Sequence, residues 1–249
     1  MAKPRVGLYS MTCCEGCELS IIDLEDVLLE VIPLIDIVDF RLAQSKPKEE
    51  PKDLDVAIVE GSITTPAEIA RAKKIRANCK ILIAIGACAC SGGIPTIKNQ
   101  YSQQELESSI YPHTKHIESV KASGLEEYVK VDFKIVGCPI DKMEFVKFLK
   151  ALLVGQIPQS YSNTVCHECK MKGNKCIFKE EQCIGAISRG GCGALCPSLG
   201  SPCIGCRGFY EDANIPAFVE LMKKNFGEAD TRRALLKFAC NSKQARQVL

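Results

Sequence analysis

The sequence predicts an α/β protein: a flavodoxin-like doubly wound parallel sheet over residues 1–155, followed by an irregular, cysteine-rich region with short helices over residues 156–249. Three observations carry that prediction. Short apolar, β-favouring runs alternate with amphipathic helical runs through the first part, the pattern of a parallel sheet covered on both faces. Cysteine supplies 16 of the 249 residues, and several thiols fall where strand-like runs end. After Gly155 the apolar periodicity stops, and eight cysteines crowd into residues 166–206 among many Gly and Pro.

Taken in order, "RVGLYSM" (5–11) reads as a strand, and "LSIIDLEDVLLEVI" (19–32) as an amphipathic helix. "DIVDFRLA" (36–43) is a second strand, and "KPKEEPKDL" (46–54) a polar, Pro-broken loop. "DVAIVEG" (55–61) is a third strand. "TPAEIARAKKIRANC" (65–79) is a helix opened by Thr65 at N-cap and Pro66 at the first helical position. "KILIAIGAC" (80–88) is a fourth strand, and "YVKVDFKIVGCP" (128–139) contains a fifth. "DKMEFVKFLKALLVG" (141–155) is a helix stopped by a C-terminal Gly. Two further amphipathic helices, about 215–226 and 229–240, close the chain. The region between 156 and 210 has too little apolar periodicity for an ordinary core and is expected to fold around metal, whose binding energy becomes folding energy.

Composition narrows the function. The chain is 46% hydrophobic and 25% charged, with a formal net charge of +2, so no strong field points to nucleic acid or acidic lipid. Trp is absent and aromatics make up 6%, which argues against a base-stacking surface. No run of about 18 apolar residues marks a membrane span. The opening "MAKPRVGLYS" has neither an apolar leader core nor a twin arginine, so a cytoplasmic location is expected. In a reducing compartment so many cysteines at short spacings read as metal ligands or redox groups, not as a disulfide framework.

Doubly wound sheets bind their ligands at the carboxyl ends of the strands. Three thiols, Cys13, Cys14 and Cys17, follow the first strand in "SMTCCEGCELS". Cys88 ends the fourth strand-like run and Cys138 the fifth, so thiols from three strand ends can converge. Farther on, "CHECKMKGNKCIFKEEQC" holds Cys166, Cys169, Cys176 and Cys183. "CGALCPSLGSPCIGC" holds Cys192, Cys196, Cys203 and Cys206. Each set has four thiols including a Cys-x-x-Cys pair, which matches the four thiolates of a [4Fe–4S] cluster, and Cys196 precedes a proline as in bacterial ferredoxins. Zinc sites of four cysteines use the same short pairs, so zinc stays open on spacing alone. A thiol–disulfide oxidoreductase using Cys14 and Cys17 would leave the remaining cysteines without a role.

These motifs resemble those of the small, electron-transferring subunit of nickel–iron hydrogenases, in particular the cytoplasmic kind such as the sulfhydrogenase delta subunit. The resemblance spans essentially the whole chain, and the N-terminal half is also similar to the 20-kDa-type subunit of respiratory complex I. It rests on Cys14-Glu15-Gly16-Cys17, on "GACACSGG" around Cys88, and on Gly137-Cys138-Pro139. The resemblance implies that Cys14, Cys17, Cys88 and Cys138 hold a proximal [4Fe–4S] cluster. It implies that Cys166, Cys169, Cys176 and Cys183 hold a distal one and Cys192, Cys196, Cys203 and Cys206 a medial one.

Where many members place a histidine ligand this chain has Cys166, so His167 is expected to be a bystander. Where many have a proline at the medial site it has Cys196, which completes four ligands. Cys13 stands where several relatives carry a proton-path glutamate, with Glu15 and Glu18 nearby as solvated or helix N-terminal carboxylates. Cys90 does not sit at the offset of the additional cysteines of oxygen-tolerant members. Glu60-Gly61-Ser62 is expected beside the proximal cluster, and Cys79 and Cys240 are expected to be small core residues.

The implied function is electron transfer within a hydrogenase whose nickel–iron site lies in a separate large subunit. The implied onward partners are iron–sulfur and flavin-containing subunits linked to NAD(P), F420 or heterodisulfide, with no nucleic acid and no membrane span of its own. The alternatives are a complex I-like subunit and a zinc-stapled binding or assembly protein.

Overall fold

A computed structural model describes residues 3–45, 52–158 and 161–239. The chain divides into two compact units, Met1–Lys142 and Met143–Leu249. In the first unit the described strands are β1 (Arg5–Ser10), β2 (Asp36–Phe40), β3 (Leu54–Glu60), β4 (Cys79–Ile85) and β5 (Phe133–Ile135). They form one sheet, all parallel, in the order β2-β1-β3-β4-β5. This is the flavodoxin-like order that the alternating pattern predicts. Val56, Ala57, Ile58 and Val59 are all buried, as are Leu82, Ile83, Ala84 and Ile85, so the central strands are covered on both faces.

The register matters more for function than the core does. Ser10 pairs with Glu60, Glu60 with Ile85, and Ile85 with Ile135. Four strands therefore end in one row, and the four loops that leave them start side by side.

The helices of this unit agree with the sequence reading in place more than in detail. The helix expected over 19–32 is two pieces, α1 (Gly16–Ile22) and α2 (Asp26–Val31). The break falls at Glu25, whose φ of 43° lies outside the right-handed helical region. α3 (Pro66–Ala77) begins as expected: Thr65 accepts a hydrogen bond from the Glu68 amide, and Glu68 in turn accepts one from the Thr65 amide, a capping box worth about 1 kcal/mol. The fourth strand stops at Ile85, short of the expected 88. Gly86, at φ +80°, turns the chain into α4 (Gly86–Ser91), so Cys88 sits on a helix and not at a strand end. Likewise β5 stops at Ile135, and Cys138 lies in the loop beyond it. The second strand ends at Phe40, earlier than the expected 43. The helix α5 (Gln103–Ile110), with a capping box from Ser102 and Glu105, lies in a stretch left unassigned from sequence. Of the loop expected over 46–54, residues 46–51 lie outside the described set.

The second unit includes most of α6 (Lys142–Leu153), followed by Gly155 at φ +71°. It also contains α7 (Val165–Met171), α8 (Leu195–Ser198), α9 (Ile215–Phe226) and α10 (Glu228–Ala239). The last two are the closing helices read from sequence. They bury Ile215, Val219, Met222 and Leu235 against Ile184, Ile187 and Phe209. Phe178 packs edge-on against Phe226 with ring centroids 5.6 Å apart. A separate cluster consists of Val165, Ala194 and Cys203, with Cys169, Cys183 and Cys192 packed on it, so thiols stand where hydrocarbon would in an ordinary core. Among the described residues no helix is long and apolar enough to cross a membrane.

Candidate functional site

The loops leaving the aligned strand ends are laced together by backbone bonds. The amides of Thr12 after β1 and Ser62 after β3 donate to each other's carbonyls at 3.1 and 2.9 Å. The Ser62 hydroxyl donates to the Gly92 carbonyl at 2.8 Å, and the Ala87 amide of α4 to the Gly137 carbonyl at 2.6 Å. Glu15, at φ 60°, turns the chain into α1, with Cys14 exposed before it and Cys17 buried in its first turn.

Glycines make room for the sulfurs. A Cβ on Gly86 would stand 2.5 Å from Cys17 Sγ, and one on Gly93 would stand 2.9 Å from Cys88 Sγ. One on Gly16 would stand 3.3 Å from Cys14 Sγ. Burial pushes the Cys17 thiol well up, with Glu60 and Cys138 adding to it; burial also raises Cys88, with Cys14 adding.

The direction of these shifts is chemically informative. A redox dithiol needs a depressed pKa, supplied by a cation or a helix N-terminus. At Cys17 burial and the Glu60 carboxylate favour the thiol, and a bound metal would supply the positive charge that makes a thiolate. The donor set, with its glycine-cleared sulfurs, fits a thiolate-ligated metal group.

Two carboxylates complete the surroundings. Glu60, at the end of β3, accepts hydrogen bonds from the amides of Cys17 (3.2 Å) and Glu18 (2.8 Å), and so holds the start of α1 against the sheet edge. Its position beside the thiols is the one expected from sequence. Burial raises its pKa. Of the two expected settings, solvated or helix N-terminal, Glu18 takes the second: it lies in the first turn of α1, buried, and accepts from the Ser10 hydroxyl at 2.9 Å. Burial, with Glu60 adding, pushes its pKa up to about 7.

Cys13 is half-buried, and burial pushes its thiol up to about 12. Cys90 turns back to the sheet, its thiol facing the carbonyls of Ala84 (3.5 Å) and Ile135 (3.7 Å). Cys79 opens β4 and packs on the core, as expected of a small apolar residue. Cys240 lies outside the described residues.

In the second unit Cys166 and Cys169 ride on α7, capped by Thr164, and His167 is exposed. The Cys166 amide donates to the Gly185 carbonyl at 3.1 Å. A Cβ on Gly185 would lie 3.5 Å from Cys166 Sγ and 3.6 Å from Cys183 Sγ. Burial, with Cys183, Cys169 and Cys176 adding, pushes the Cys166 thiol up to about 11. Cys192, Cys196, Cys203 and Cys206 line a single narrow pocket with Val165 and Ser188. The two sets meet where the Cys203 amide donates to Cys183 Sγ at 3.3 Å and the Ile184 amide donates to the Cys203 carbonyl at 3.0 Å.

Glu168 is a residue that spacing did not single out. Its carboxylate accepts from the amides of Gly191 (2.6 Å) and Ala194 (3.1 Å), strapping α7 to the loop that carries Cys192. From sequence it is only a spacer between two cysteines. Among the described residues no three His, Cys, Asp or Glu side chains are drawn tightly round a single ion position.

Residues 14–152 match the family described as the NADH ubiquinone oxidoreductase 20 Kd subunit. Sulfhydrogenase 2 subunit delta of Pyrococcus furiosus is 33% identical over 94% of this chain and 99% of its own length. A vhu-type F420-non-reducing hydrogenase subunit of Methanocaldococcus jannaschii is 37% identical over 90% of this chain and 89% of its own. This chain belongs to that family of hydrogenase and oxidoreductase subunits. Among solved structures, an NAD+-reducing [NiFe]-hydrogenase chain superposes on 64% of this family member and 95% of its own length, with a TM-score of 0.58 and 26% identity. As a hydrogenase-subunit homologue, the chain is a member of an oxidoreductase complex.

Proposed function

We propose that this protein is the electron-transfer small subunit of a cytoplasmic nickel–iron hydrogenase and holds three [4Fe–4S] clusters. In this reading Cys14, Cys17, Cys88 and Cys138 ligate the proximal cluster. Cys192, Cys196, Cys203 and Cys206 ligate the medial one, and Cys166, Cys169, Cys176 and Cys183 the distal one. When bound, these groups supply one-electron relay between a large-subunit nickel–iron site and a flavin-containing NAD(P)-, F420- or heterodisulfide-linked partner. The chain's own residues bury and space the sulfurs. Glu60 anchors the Cys17 amide, Gly86 and Gly93 leave room for sulfur, and the Cys203 amide donates to a sulfur of the neighbouring set. Amide donors to sulfur are among the means by which a protein adjusts cluster potential.

The observation that supports the proposal is the spacing of twelve cysteines in three sets of four, the last of which, Cys192, Cys196, Cys203 and Cys206, lines one pocket. Cys138→Ser in the full chain tests it. We expect loss of the proximal cluster's reduced-state magnetic resonance signal and of hydrogen-linked electron transfer, with the two other clusters retained. Wild-type turnover with an unaltered signal would refute the assignment.

The match to the 20 Kd subunit family favours a second reading, a complex I-like electron carrier. That match ends at residue 152, and the eight later cysteines lie beyond it. Such a carrier needs only the first quartet, so a content of about four irons per chain would favour it over about twelve. Colourless zinc in place of iron would favour a binding or assembly protein.

A further inference from the structure

Arg207 follows Cys206, and its side chain is 3% exposed. Arginine is almost never so buried unless paired. Its Nε donates to the Gly190 carbonyl at 2.6 Å, and one terminal nitrogen stands 2.9 and 2.8 Å from the two oxygens of Glu144. The backbone is cleared to admit it: Gly191, at φ +107°, has no Cβ, and one built there would come within 2.5 Å of that nitrogen. Arg207 is among the residues that line the narrow pocket of Cys192, Cys196, Cys203 and Cys206, and its guanidinium lies against Gly190 and Gly191, immediately before Cys192 in sequence. Arg189 also lines that pocket, but it pairs with the exposed Glu211 and is more open to solvent screening. Buried ion pairs add little net stability relative to packed hydrocarbon, so the placement of this pair calls for another reason.

We propose that Arg207, positioned by Glu144, raises the reduction potential of the iron–sulfur group held by Cys192, Cys196, Cys203 and Cys206. The inference rests on the reading of that quartet as cluster ligands. Four thiolates and an oxidised cluster core together carry about −2, and reduction adds a further negative charge. A fixed cation beside them favours the reduced state. Arginine suits this because it stays charged in any protein environment. Glu144 opposes part of that field while it holds the guanidinium in place.

The test is a potentiometric titration of the anaerobically reconstituted full chain, followed by electron paramagnetic resonance. Cys196→Ser first identifies which signal belongs to this quartet. Arg207→Met is expected to move that signal's midpoint to more negative potential, and Glu144→Gln to move it the opposite way, with the other signals unmoved. Arg207→Lys should restore most of the wild-type midpoint. A purely structural role would not produce opposite shifts. If Arg207→Met fails to assemble, Glu144→Gln and Arg207→Lys still decide the matter. Unmoved midpoints, or shifts of the same sign in Arg207→Met and Glu144→Gln, overturn the role of Arg207 while leaving the cluster reading intact. Absence of iron from the wild-type chain, or a Cys196→Ser variant with every signal unchanged, overturns both.

Discussion

The two units solve the same problem, holding sulfurs at fixed positions, by opposite routes. In the first, Ala57, Val59, Leu82 and Ala84 are wholly buried in a hydrocarbon sheet core, and the thiols sit on the loops and short helices at its edge. In the second, Cys203, Cys169, Cys183 and Cys192 are part of the packed interior beside Val165 and Ala194. A sheet of that kind is stable through apolar burial and presents ligands on a scaffold already formed. An interior built partly of thiols gains stability when metal binds, because ligation and folding are then one equilibrium. In the proposed reading the first unit carries its site, and the second is in large part made by its sites.

The strongest challenge to this contrast is iron removal. After chelation of the reconstituted chain, limited proteolysis should cut readily within residues 161–210, while the strands β1 to β5 stay protected. Equal loss of protection in both units would show that the distinction is wrong. Next in size, Cys203→Ser should empty both C-terminal sites, about eight irons of about twelve, because Cys203 packs in the shared interior and its amide reaches Cys183. Loss of only about four irons, by elemental analysis, would mean that the two sets fold independently.

Gly86→Ala probes the first unit from the other side. A methyl at φ +80° and 2.5 Å from Cys17 Sγ should cost about 1–3 kcal/mol. In a urea titration the midpoint should fall, and the proximal signal should weaken while the C-terminal ones persist. The smallest effect separates scaffold from site. Thr65→Ala removes the cap of α3 and should cost about 1 kcal/mol by the same titration, with every cluster signal unchanged.

Much of the first unit is readable from sequence because its rules are local. Short apolar runs mark β1 and β3, and Thr65-Pro66 with Glu68 marks the start of α3. The turn at Gly86 is not readable this way, since "AIGACAC" is one apolar run and periodicity cannot separate a strand from a short helix within it. Of the candidate site, the cysteine quartets are proposed from spacing, and the place of Glu60 beside Cys17 is legible from its position at a strand end. The buried state of Glu18, the strap made by Glu168 and the pairing of Arg207 with Glu144 depend on contacts between distant segments. No local pattern encodes those, and a charged residue between two cysteines reads as a spacer. The second unit is the extreme case: its apolar pattern is faint because thiols do part of the work of hydrocarbon.

The iron and acid-labile sulfide content of the full chain reconstituted without oxygen, taken with its visible spectrum, decides between a three-cluster protein and its rivals. About twelve irons and about twelve sulfides per chain are expected, with the broad brown absorption of iron–sulfur clusters. A colourless protein holding zinc without sulfide, or one holding about four irons, would contradict the three-cluster reading.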